Sequence, residues 1–454
     1  MAARPAMAQA QENDTGPDAR GIGLLNFSAW IRSQGWLRSI YRHLPQRWRD
    51  DVSRRLASRA VAALKFPPLL SPATPVHAPA YPPASFGAGV NLIGYFRGQF
   101  GLGENARLYT RALMSAGYRA AIVDLDIDIP HGLDERSLDG HMVTDLPYPV
   151  NLVFVNPDHL DAALERLGRD RLAGHYTMAC WFWELERFPD EWRPALDLVD
   201  EILVATHFVE KVMSSATDKP VTRVPIPIDE PVDSGRSREA FGIGPEYTFL
   251  TTFDFNSFIE RKNPFAAIKA FQLAFPGHEP VRLLIKSSNG HRHPELLRKL
   301  LNAVSGEPRI VIRDDVLPRG DVQALQRCTD AYVSLHRSEG FGLGMAEAMR
   351  LGKPVIGTAY SGNLDFMTPD NSCLVDYQLR PVADGEYMYT EGQHWAEADV
   401  VQAAGFMRRL ASDRSFGSGL GHRAARDIRE GYSPSVNAAL LIDRIEAVAV
   451  AKGQ

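Results

Sequence analysis

HRSEGFGLGMAEAMRLGKPVIG, residues His336–Gly357, decides the fold. It follows a short apolar run, AYVSL (residues 331–335), and opens a stretch with helical periodicity. Glycines at 340, 342 and 344 strip the turn of side chains, so a ligand can approach the backbone closely. The free N–H groups at the start of a helix after such a turn suit phosphate oxygens. Two acids bracket the turn. Glu339 precedes it and faces the expected cleft, while Glu347, about one turn into the helix, is placed to accept hydrogen bonds from ribose hydroxyls. LGKPVIG then leads through a second turn into another apolar strand.

The same texture extends in both directions. Upstream lie GVNLIGYF, AAIVDL, NLVFV, TMACWFW, EILVA and VTRVPI, and then, after a charged, Gly-containing connector, YTFLTTF, VRLLIK, RIVIR, AYVSL, KPVIG and SCLV. These runs are flat in hydrophobicity instead of alternating, as strands buried on both faces of a parallel sheet require. Helical patterns separate them. Two successive series of this kind predict an α/β protein with two doubly wound, Rossmann-like domains facing across a cleft. The expected divisions are a disordered start and basic helical extension at 1–66, a Pro-rich linker at 67–86, a first domain at 87–230, a second at 231–430 and a C-terminal helix at 431–454.

Composition narrows the function. Of 454 residues, 45% are hydrophobic and 23% charged, an ordinary globular balance. No apolar run reaches the ~18–20 residues of a membrane-spanning helix. Cys180, Cys328 and Cys373 are too far apart in sequence for a CxxC motif and read as buried thiols. Residues 1–85 carry 11 Lys and Arg against 5 Asp and Glu, leaving 39 against 50 for the rest. The acidic body argues against nucleic-acid binding, which rests on clustered cations. Residues 23–65 interleave Trp30, Trp36, Leu37 and Tyr41 with Arg32, Arg38, Arg42 and others, a basic amphipathic pattern suited to peripheral contact with an anionic membrane. Seven prolines between 67 and 83 favour an extended connector.

E-x7-E followed by EAM-x-x-G-K-P-V-I-G resembles the nucleotide-sugar half of the GT-B glycosyltransferases of the retaining GT4 type, and with gaps the resemblance runs from about residue 88 to 430. It implies transfer of a hexose, of mannose or glucose type, from GDP-mannose or a UDP-hexose to a glycan or lipid-linked acceptor, in polysaccharide or lipopolysaccharide biosynthesis. By the resemblance Glu347 holds the ribose, Glu339 lies near the transferred sugar, and Gly342, Leu343 and Gly344 meet the donor. No cofactor or metal is implied, and no D-x-D follows a strand in the way that GT-A enzymes use to hold a divalent cation. The C-terminal helix is expected to cross back to the first domain. A cytoplasmic enzyme at the inner face of the membrane would fit such an acceptor.

TTFDFNSFIERKNP, residues 251–264, supplies a lysine able to neutralise the charge that grows on a departing diphosphate. In the resembled family an arginine and a lysine share this task through G-R-x-x-x-x-K-G. Lys262 matches the lysine, but Phe255, Asn256 or Ser257 stands where Gly-Arg is expected, so either Arg261 or Lys286 supplies the second charge. GYFRGQFGLGEN, residues 94–105, puts Arg97 and the amides of Gly101 and Gly103 at a strand end; its G-x-x-G-x-G is not the G-x-G-x-x-G of dinucleotide binding, which argues against a nicotinamide enzyme. Trp183 and Glu184 in TMACWFWELERFP offer an acceptor wall, and His159 and His207 stand at other strand ends. The alternative reading is a non-catalytic nucleotide-sugar-binding protein that keeps the fold.

Overall fold

The computed structural model describes residues 19–34, 59–60, 69, 81–125, 132–232 and 234–452. Twelve strands, each falling within or beside one of the apolar runs, form two six-stranded parallel sheets. The first contains β1 (Phe86–Gly94), β2 (Tyr118–Asp124), β3 (Val150–Phe154), β4 (Tyr176–Cys180), β5 (Glu201–Val204) and β6 (Val221–Arg223), ordered β2-β1-β3-β4-β5-β6. Leu92 stands level with Ile122 on one side and Leu152 on the other. Alternate residues serve opposite faces: Leu92, Leu152, Met178 and Leu203 pack in one apolar cluster, Ile93, Val153, Ala179 and Ile202 in another. Covering both faces is what makes each run continuously apolar.

The second sheet holds β7 (Tyr247–Asp254), β8 (Val281–Ser288), β9 (Ile310–Asp314), β10 (Ala331–Ser334), β11 (Val355–Thr358) and β12 (Cys373–Val375), ordered β12-β11-β10-β7-β8-β9. Chain order reverses between β7 and β10, so the loops leaving these neighbours diverge and open a crevice at their carboxyl ends. Those loops are the two that carry the charged motifs.

A hairpin absent from the sequence reading follows: β13 (Tyr377–Pro381) pairs antiparallel with β14 (His394–Ala398), Leu379 opposite Ala396. Gln378, Arg380 and Glu397 on one face and His394 on the other break up its strands and hide them from a search for flat apolar runs.

The C-terminal helix Pro434–Lys452 packs on β1 and on the helix Gly101–Ser115 of the first domain. Two side chains fix it. Arg444 donates to both oxygens of Glu201, which is fully buried at the start of β5, at 2.8 and 2.6 Å. Glu446 accepts from Tyr118 Oη at 2.6 Å and from the Ala88 amide at 2.8 Å. At the other end of the chain, a helix Ala19–Ser33 rests on the helix Pro294–Ala303, with Leu25 buried and Leu24, Phe27 and Trp30 exposed. Most of the expected disordered start, most of the basic stretch 23–65 beyond Gln34, and most of the Pro-rich linker lie outside the described residues, and with them most of the segment expected to contact a membrane.

Candidate active site

At the end of β10 the chain turns through Glu339 and Gly340, and Gly342, with φ +96°, caps the helix Leu343–Arg350. That left-handed backbone favours glycine, and an added Cβ would sit 2.5 Å from Met345 Cε. Gly344 is held just as closely from below: a Cβ there would meet Tyr332 Oη at 2.5 Å, and Tyr332 shares a 2.6 Å hydrogen bond with Thr252 Oγ1 of β7. The amides that open this helix have no partner within it, so they present donors to the crevice.

The β7 loop brings the cations. Asp254 accepts from the Asn256 amide, and its carboxylate is held by Asn289 Nδ2 at 2.9 and 3.0 Å. Phe258, with φ +61°, and Asn263, with φ +51°, bracket one helical turn, Ile259–Lys262, and the Asn263 side chain caps the next helix by accepting from the Ala266 amide. A bulky residue such as Phe258 at positive φ costs ~1–3 kcal/mol and persists where its surroundings impose it. The consequence is that Arg261 and Lys262 emerge together beside Glu339.

Lys262 Nζ donates to Glu339 Oε1 at 2.5 Å, and Arg261 Nη1 donates to Glu339 Oε2 at 3.3 Å and to the Ser338 carbonyl at 3.1 Å. Burial pushes the Glu339 carboxyl up, but the Lys262 and Arg261 charges outweigh it and hold it at about 2. Arg261 Nη2 lies 3.4 Å from Glu184 Oε1 of the first domain, so the guanidinium spans the two domains. Its Nε is buried with no hydrogen-bond partner. A buried donor left unmet is costly and marks a place where an acceptor is awaited.

These groups wall a cavity of about 450 Å³ between the domains. Arg261, Lys262, Lys286, Asn256, Glu339, Gly342, Leu343, Gly344, Gly101 and Glu184 all line it. The two residues left open for the second charge both line the cavity and differ in their contacts. Lys286 Nζ donates to the carbonyls of Ser287 and Asp315, whereas Arg261 holds Glu339. Asn256 Oδ1 is engaged with His293 Nε2 at 2.8 Å. Glu347 does not line the cavity: its carboxylate accepts from Arg319, whose Nε is also 3.3 Å from Glu104 Oε1 across the domains. A ribose would reach Glu347 only by sharing or displacing Arg319.

Five residues fall elsewhere. Arg97 points away, to Asp124 and Asp139. His159 pairs loosely with Asp158 with its side chain 65% exposed, outside the cavity wall. Gly103, in the first turn of the helix Gly101–Ser115, packs on the loop before it, where a Cβ would lie 2.6 Å from the Gly98 carbonyl. Trp183 is buried among Trp192, Tyr387 and Tyr389, and its neighbour Phe182 lines the cavity instead. His207, also at a strand end, pairs with Asp365 at 2.8 Å away from the cavity. Sequence reading missed Phe182, Phe100 and Asn105 on the first-domain wall and Tyr387 behind Glu184. For Phe182 a signal existed, since strand side chains alternate in direction.

The arrangement can seat an anion between a helix N-terminus and two cations, next to an ionised carboxylate, with aromatic and carboxamide groups opposite. Residues 248–376 match the model of the family described as glycosyl transferases group 1. Over 197 residues the chain is 24% identical to the trehalose synthase of Rubrobacter xylanophilus, covering 42% of each chain, and over 132 residues it is 30% identical to that of Pyrococcus horikoshii, covering 28% of this chain and 31% of the other. The matches thus span less than half the length of either relative. Among solved structures, the sucrose-phosphate synthase of Thermosynechococcus elongatus aligns over 80% of this chain and 99% of its own at 13% identity, TM-score 0.59. Anabaena HepE in complex with UDP and glucose aligns over 79% and 99% at 12% identity, TM-score 0.57. The stretch that carries Arg261, Lys262, Glu339 and the Gly-rich turn is therefore the stretch that matches the glycosyl transferases group 1 model, set in a two-domain fold shared with these enzymes.

Proposed function

We propose that the protein transfers a hexose from a nucleotide sugar to a glycan or lipid-linked acceptor with retention of configuration. The observation that carries this reading is the convergence of Arg261, Lys262, Glu339 and the Gly342–Gly344 helix opening on one cavity between the domains. In the reaction the bond between the anomeric carbon and the diphosphate oxygen breaks, and a new bond forms from that carbon to an acceptor hydroxyl on the same face. The departing phosphate oxygen takes the hydroxyl proton. Negative charge grows on the diphosphate, where Lys262, Arg261 and the helix amides stabilise it in a site already arranged for it. Glu339, ionised beside them, steadies both cations and offers a carboxylate to the sugar. Gln99, Phe100, Asn105 and Phe182 form the opposite wall and suit a neutral carbohydrate acceptor.

Thermal unfolding of the purified chain with UDP, GDP, ADP and dTDP tests the reading. One nucleotide at 100 times its Kd is expected to add about 2.7 kcal/mol of stability. Stabilisation by NAD alone would overturn it. UDP-glucose, bound to HepE in one of its crystal structures, and GDP-mannose are the donors to try first. Nucleotide binding without release of sugar from any donor would favour a non-catalytic binding protein.

A further inference from the structure

The contacts around Arg261 are uneven. Glu184 Oε1 stands 3.4 Å from Arg261 Nη2, long for a guanidinium and a carboxylate in a confined site, where ~2.7–2.9 Å is usual. Its other oxygen accepts from Tyr387 Oη at 2.6 Å. Tyr387 comes from the turn of the β13–β14 hairpin, beyond the residues that match the family model. Its ring lies 5.8 Å from the Arg261 guanidinium and 4.6 Å from the Phe258 ring, against the residue whose positive φ shapes the Arg261 turn. Tyr387 therefore touches both ends of the Glu184–Arg261 pair.

A carboxylate free to choose would close on the guanidinium and take up its donors. The phenol competes for it. The result is a buried Arg261 with its Nε unmet and its Nη2 only loosely engaged. We propose that Tyr387 is a positioning residue that holds Glu184 off Arg261, reserving the guanidinium donors for the diphosphate of the incoming nucleotide. This rests on reading the cleft as a nucleotide-sugar site.

Isothermal titration of the full chain with UDP, GDP, uridine, guanosine and inorganic pyrophosphate tests it. Tyr387→Phe keeps the ring against Phe258 and removes only the hydroxyl. It is expected to weaken pyrophosphate and the bound nucleoside diphosphate about tenfold, the scale of one hydrogen bond to a charged group, while leaving the nucleoside unchanged. Adding Glu184→Gln to Tyr387→Phe is expected to restore affinity to within about twofold, because a neutral amide cannot quench the guanidinium. Unchanged diphosphate affinity in Tyr387→Phe would overturn the proposal, as would an equal loss for nucleoside and diphosphate without rescue, which indicates packing alone. Should the wild-type chain bind pyrophosphate but no nucleotide, the nucleotide-sugar reading fails while the pyrophosphate series still decides the role of Tyr387. Failure of the wild-type chain to bind pyrophosphate or any nucleoside diphosphate overturns both.

Discussion

Lys262→Ala is expected to lower sugar transfer about 10²–10³-fold, the measured scale for removing one preorganised group that stabilises developing charge. The reason lies in where the charge appears. A donor diphosphate is already anionic when bound, but the oxygen released from the anomeric carbon gains its charge only as the bond breaks, so a cation beside it favours the transition state over the bound substrate. Lys262 is held for this by Glu339 at 2.5 Å, with its side chain only 20% exposed. Arg261 remains to pair with Glu339 in the variant, so the fold is expected to hold and nucleotide binding to change far less than turnover. Single-turnover rates beside nucleotide Kd values check this. Equal rates in variant and wild type would remove Lys262 from the chemistry.

Arg261→Ala is expected to act on stability as well as on catalysis. Arg261 is 5% exposed, and its guanidinium stands between Glu184 and Glu339, which come from different domains. Removing it leaves Glu184 without its cation and Glu339 with Lys262 alone, and breaking a buried charge pair from one side costs ~3–5 kcal/mol. For a chain of this size that is a fall in Tm of roughly 3–5 °C. Scanning calorimetry reads it directly. Arg261→Lys keeps the charge but loses the planar fork, so it is expected to recover part of the stability and little of the diphosphate affinity. A Tm within about 1 °C of wild type for Arg261→Ala would show that the two acids do not depend on it.

How far the sequence reveals the molecule follows from which physics each element obeys. The strands were legible because a parallel sheet buried on both faces leaves flat apolar runs such as NLVFV and VRLLIK, which become Val150–Phe154 and Val281–Ser288. The Gly-rich turn was legible because Gly342 needs a left-handed φ and Gly344 sits on Tyr332. The hairpin at 377–398 was not, being half polar and held by Arg380 to Glu386 and Glu397 rather than by an apolar core of its own. With it, Tyr387 stayed hidden. Side-chain direction was the other loss. Phe182 and Trp183 are neighbours in sequence, yet one faces the cavity and the other the core. Arg97 follows a strand end, where functional groups gather, but Asp124 and Asp139 draw it away, and His159 lies in the first turn of the helix Pro157–Leu167 with its side chain 65% exposed. How Arg261 and Lys286 differ could not be read either: both line the cavity, but Lys286 donates to the carbonyls of Ser287 and Asp315 and Arg261 to Glu339.

The most direct test is a crystal structure of the chain with the nucleoside diphosphate that stabilises it best. The diphosphate is expected between the amides that open the helix Leu343–Arg350 and the side chains of Arg261 and Lys262, with Arg261 Nε within hydrogen-bond distance of a phosphate oxygen. A nucleotide bound with its phosphates outside this cavity, and the Lys262–Glu339 pair untouched, would contradict it.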